Sequence, residues 1–159
     1  MAFLLLLLVP AGLILPFVFA GRAVGALALA GGPRRADSGA WLRTAGFVQA
    51  AVAVGVYAWG LLCVTGAVVS AEDGGTNSIP ILPCRTPGWE YRAEGISGYR
   101  VEYVPLRFVC EADDVGDYTT SVPDYVNPVF FFLGLGAAAC LTVAALDSDG
   151  SGEQAGTGT

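Results

Sequence analysis

Residues 44–71 read TAGFVQAAVAVGVYAWGLLCVTGAVVSA, a run without a single Asp, Glu, Lys or Arg. Roughly 20 apolar residues in a helix, at about 1.5 Å of rise each, cross the hydrocarbon core of a bilayer, so this run is long enough to span one with residues to spare. Residues 2–20 (AFLLLLLVPAGLILPFVFA) and 128–146 (PVFFFLGLGAAACLTVAAL) are uncharged in the same way. In hydrocarbon every backbone polar group must find its partner inside the segment, which makes all three runs helices. The fold class that follows is a mainly α membrane protein. It has three transmembrane helices and a small, disulfide-linked, β-rich extracytoplasmic domain between helices 2 and 3.

The 159 residues divide accordingly. The expected segments are a first transmembrane helix over 1–21, a cytoplasmic loop over 22–43 and a second span over 44–71. An extracytoplasmic domain over 72–127, a third span over 128–146 and a disordered cytoplasmic tail over 147–159 complete the chain. The orientation rests on charge. Segment 21–43 carries Arg22, Arg34, Arg35 and Arg43 against Asp37 alone, whereas 72–127 carries four arginines against ten acids. Short Arg-rich loops stay in the cytoplasm. The N-terminus, which has no basic side chain, is then outside and the C-terminus cytoplasmic. Val18-Phe19-Ala20 would also suit a signal-peptide cleavage site, but a basic n-region is missing and the apolar run is longer than an h-region.

Composition excludes several activities. The chain has no His and no Lys, and its net charge is −6. Without His it lacks the usual general base near neutral pH and the commonest metal ligand. A negative chain is a poor match for phosphate backbones, so nucleic acid is not an expected partner. The spans after the first contain no ionisable carboxylate or guanidinium of the kind that ion-coupled carriers use. Such arginine-only, Ala/Gly/Val/Leu-rich usage, together with the phrase Tyr103-Val104-Pro105-Leu106-Arg107-Phe108-Val109-Cys110, resembles small multi-pass membrane proteins of high-GC actinobacteria. That resemblance implies a membrane fold with a small ectodomain and no particular activity.

Within 72–127, Tyr99, Val101 and Tyr103 alternate with Arg100, Glu102 and Val104, the period-two pattern of a strand. Pro105 calls for an edge or a bulge, Leu106 to Cys110 continues extended, and Tyr118 to Val122 can return, giving a small antiparallel sheet. Cys84 and Cys110 are the two cysteines of the segment. In an oxidising compartment they are expected to pair as a structural disulfide. Ile79 to Pro83 reads as an extended apolar piece, and Glu111 to Asp117 as a solvated acidic turn, with calcium binding by Glu111, Asp113, Asp114 and Asp117 as its alternative. Asn127 suits a helix cap and Pro128 a first helical position.

No catalytic constellation, metal-ligand set or cofactor fingerprint emerges, so the expected activity is not enzymatic and the expected cofactor is none. The expected function is that of an accessory or interaction module. Its partners are the lipid bilayer and an extracytoplasmic or membrane protein, met through Trp89, Tyr91, Tyr99 or Tyr103. Two alternatives accompany it. A membrane thiol–disulfide oxidoreductase would need Cys63 or Cys140 beside the outer pair. A subunit of an oligomeric channel or transporter would need Gln49, Tyr57 and Thr65 to form a polar stripe facing away from the bundle. The bland reading of those three is helix–helix hydrogen bonding. Small residues at Ala51 and Gly55, and at Gly134 and Ala138, are expected to let helices approach closely.

Overall fold

A computed structural model of the chain describes residues 2–72, 82–84, 96–112 and 116–156. The elements in order are helix α1 (Ala2–Leu29), helix α2 (Ser38–Glu72), a 3-10 turn (Leu82–Cys84), strands β1 (Ile96–Tyr103), β2 (Leu106–Ala112) and β3 (Tyr118–Thr120), and helix α3 (Val126–Gly156). All three helices are long and apolar enough to cross a membrane. Trp89, Tyr91, Asp113, Asp114 and most of the piece from Ile79 to Pro83 lie outside the described residues.

Helix bounds depart from the charge-free runs. The first helix continues beyond residue 21, through Arg22 to Leu29, an extension that the sequence leaves open. Nothing between Arg22 and Leu29 breaks a helix, whereas Gly31 and Gly32 both take positive φ (78° and 96°), the conformation that ends helices and suits glycine. Helix α2 starts at Ser38 rather than residue 44. Asp37 caps it, its Oδ1 accepting the Ala40 backbone N–H at 2.9 Å. Helix α3 runs past Leu146 to Gly156, so residues 147–156 continue the helix in place of the expected unfolded tail. Once a helix is nucleated, each added residue gains a hydrogen bond at little further cost.

The chain divides into two compact units: Met1–Val9 with Ala58–Asn127, and Pro10–Tyr57 with Pro128–Thr159. The first unit holds the sheet. Its order is β1-β2-β3, antiparallel throughout. Strands β1 and β2 form a hairpin whose turn is Val104-Pro105, joined by a cis peptide bond. The expected continuation through Pro105 is therefore corrected: the chain reverses there, because a residue that cannot donate to a ladder fits a turn better than a strand.

Register sorts the side chains as the alternation requires. Tyr99 stands opposite Cys110, Val101 opposite Phe108 and Tyr103 opposite Leu106. Tyr118 and Thr120 of β3 join that face through Cys110 and Phe108. Leu106, Phe108 and Cys110 on it are fully buried. Leu106 and Val126 fill the space over Gly60 of α2: a Cβ placed there would lie 2.7 Å from Leu106 Cδ2 and 2.8 Å from Val126 Cγ1. The sheet thus packs this face against helix, which a sheet this small needs for stability.

In the second unit α2 and α3 approach through glycine. A Cβ on Gly46 would lie 2.8 Å from Leu141 Cγ, and one on Gly136 would run into Gln49 Oε1. Nothing lies within 4 Å of a Cβ on Gly134. The expected small-residue contact is thus shifted by two positions along α3. Replacing Gly136 by alanine is expected to destabilise the helix pair by about 1 kcal/mol by displacing Gln49, while Gly134→Ala changes nothing or stabilises slightly. Thermal melting of the two variants side by side checks this.

Candidate functional site

Cys84 and Cys110 form a disulfide, with Cα atoms 6.1 Å apart. Both residues are fully buried. The Tyr118 hydroxyl donates to the Cys84 carbonyl at 2.5 Å, so the short 3-10 turn is held to the sheet covalently and by a hydrogen bond. Thiol–disulfide exchange requires a thiolate to reach one sulfur in line. Burial of both sulfurs gives that attack no approach, which favours a structural bridge. Cys63 and Cys140 are free and partly buried. Cys140 Sγ receives the Gln49 side-chain N–H at 3.9 Å.

The opposite face of the sheet carries polar side chains around a buried Val109. Arg100, Val109 and Thr119 stand in line across the three strands, as do Glu102 and Arg107 across two. One guanidinium collects three carboxylates: Arg100 Nε meets Glu102 at 3.3 Å, and Nη1 meets Glu111 at 3.3 Å and Asp117 at 3.0 Å. What desolvation takes from the Arg100 charge is outweighed by the Glu102 hydrogen bond and by Asp117 and Glu111, so its pKa is raised. Glu111 and Asp117, two acids of the expected solvated turn, therefore serve an internal ion-pair network. Because all four groups are substantially exposed, added salt is expected to weaken the network measurably while leaving the melting temperature nearly unchanged.

Of the expected aromatic patch, Trp89 and Tyr91 lie outside the described residues. Tyr99 stacks on Phe108 with ring centroids 5.1 Å apart, and it and Tyr103 are half-buried. Their rings thus line the sheet's packed face, and the interaction reading cannot lean on them. Tyr99 donates its hydroxyl to Glu72 at the end of α2 at 3.3 Å. Burial first, then the charge and the hydrogen bond of Glu72, push the Tyr99 phenol above its ordinary value of 10.0. A raised acid holds its proton more tightly in the folded state, so its contribution is fully present below the unfolded pKa and fades as pH rises through the folded one. Tyr99 is expected to contribute a late component to an ultraviolet titration of the tyrosines, and Tyr99→Phe removes it.

Asn127 does something its expected capping role does not include. Helix α3 begins one residue earlier, at Val126, and the Asn127 amide is turned onto β2. Its Oδ1 accepts the Leu106 N–H at 2.8 Å and its Nδ2 donates to the Leu106 carbonyl at 3.0 Å. Both backbone groups of the buried residue after the hairpin turn are thereby satisfied by one side chain. Asn127→Ala leaves them unpaired and is expected to cost about 1–3 kcal/mol, read as a lower melting temperature than Asn127→Gln gives. Pro128 fits where it stands, because the first N–H groups of a helix have no intrahelical partner to lose.

The three residues of the expected polar stripe make contacts within and between helices. Gln49 is turned onto α3, and Thr65 donates its hydroxyl to its own helix at Leu61 O, 2.8 Å away. Tyr57 packs its ring on Phe130 with centroids 4.8 Å apart. These are the arrangements of helix packing. Among the described residues, no group of three or more His, Cys, Asp or Glu side chains is placed to hold a metal ion. Comparison with family models, curated proteins and solved structures finds no match to this chain.

Proposed function

We propose that the chain is a three-pass integral membrane protein that presents a disulfide-stapled sheet outside the cytoplasm. In this reading it acts there as an accessory or interaction module toward a protein partner. Arginine placement supports the orientation, with loop 30–37 and the C-terminal end of α3 on the cytoplasmic side. The observation that carries the reading is the division of labour between the sheet's two faces. One face is consumed by the disulfide, Phe108 and the helix at Gly60. On the other, Arg100, Arg107 and Thr119 are exposed around a buried Val109, with no reactive group among them, which suits recognition better than chemistry.

A photoreactive residue introduced at Thr119 in intact cells tests the reading. A discrete protein adduct is expected from Thr119 and not from Leu135, which is 70% exposed on α3 and faces lipid in this account. Adducts from Leu135 with none from Thr119 would move recognition from the sheet to the spans.

A further inference from the structure

Arg22 is the one charged residue in the candidate span Leu4–Leu29. Among the described residues it has no carboxylate within ion-pair distance. It lines a cleft of about 460 Å³ together with Gly21, Gly25, Asp37, Arg43 and Phe47. A guanidinium on an apolar helix needs an anion or water, because hydrocarbon solvates it poorly. Arg43 brings a second guanidinium, whose Nη2 donates to the Ala144 carbonyl in a long 3.4 Å bond, with Asp147 lining an adjoining cleft beside it. Asp37, the acid of the cleft, already accepts the Ala40 N–H. Gly21 and Gly25 have open space where side chains would stand, so the α1 wall of the cleft is unobstructed.

We propose that this cleft binds the phosphate of an anionic glycerophospholipid, with Arg22 and Arg43 as its two cations. The guanidinium fork matches phosphate oxygens in pairs, and basic clefts between spans suit anionic headgroups. The inference rests on the three-span reading. Under that reading the cleft opens where two helices meet lipid, which supplies the phosphate together with acyl chains for the apolar wall.

The test uses the full-length chain purified in detergent and native mass spectrometry with dioleoylphosphatidylglycerol or dioleoylphosphatidylcholine. The parent chain is expected to retain the anionic lipid in preference by on the order of tenfold. R22Q/R43Q abolishes the preference, R22K/R43K keeps most of it as the charge-preserving counterpart, and R34Q/R35Q leaves it intact. Equal retention of both lipids by the parent chain, or an unchanged preference in R22Q/R43Q, overturns the proposal. Displacement of the anionic lipid by millimolar inorganic phosphate overturns the lipid assignment in favour of a free anion. Alkaline carbonate extraction of cell membranes separates the two levels: release of the chain sinks the three-span reading itself, whereas retention with no lipid preference sinks the cleft alone.

Discussion

Cys110→Ala, or Cys84→Ala, is expected to destabilise the sheet-bearing unit by about 3–4 kcal/mol. The bridge closes a sequence separation of 26 residues, and the loss of loop-closure restraint in the unfolded chain gives that size. For a sheet of three short strands this is a large share of any plausible stability. Serine at either position is expected to be worse than alanine, because its hydroxyl would enter a site that is at most 1% exposed. The expected readout is an early loss of near-ultraviolet circular dichroism on heating in detergent, with the far-ultraviolet helix signal retained. Alanine variants that melt with the parent chain would show that the bridge is incidental.

Gly60→Leu is the second large effect. A Cβ alone at this position would stand 2.7 and 2.8 Å from Leu106 and Val126. Both neighbours are fully buried, and Val126 is β-branched, so neither can swing away cheaply. Alanine is expected to cost about 1–3 kcal/mol by overpacking, and leucine to undock the hairpin. Gly66, on the same helix, has nothing within 4 Å of its would-be Cβ. Gly66→Ala should therefore be neutral or stabilising by up to about 1 kcal/mol through helix propensity. Protease sensitivity of the β1–β2 hairpin separates the pair: Gly60→Leu is cut rapidly and Gly66→Ala is not. Equal sensitivity would mean that Gly60 is not the seat of the sheet.

The contrast between those glycines shows where sequence reading stops. The three apolar runs announce helices because each is long enough to cross a membrane and free of charge, a pattern that is visible locally. Alternation from Tyr99 to Tyr103 announces a strand for the same reason. Gly60 and Gly66 are indistinguishable in the sequence, since only the tertiary neighbours Leu106 and Val126 tell them apart. Pro105 signals a break in the ladder without saying whether the chain bends or reverses. Asn127 before Pro128 has the form of a helix cap, and only the proximity of Leu106 redirects its amide. The acids Glu111 and Asp117 could have been ligands, and register places Arg100 among them instead. Arg22 was visible as a cytoplasmic charge, but its position inside a continuous helix depended on that helix reaching Leu29.

The central claim, a stapled sheet held outside the cytoplasm by three spans, is tested most directly by thiol labelling in intact cells. The chain carries Cys63→Ala and Cys140→Ala so that Cys84 and Cys110 are its only cysteines, and a membrane-impermeant maleimide is applied with and without external reductant under mildly unfolding conditions. The account predicts labelling from outside only after reduction. Labelling only after lysis would place the sheet in the cytoplasm and contradict the account.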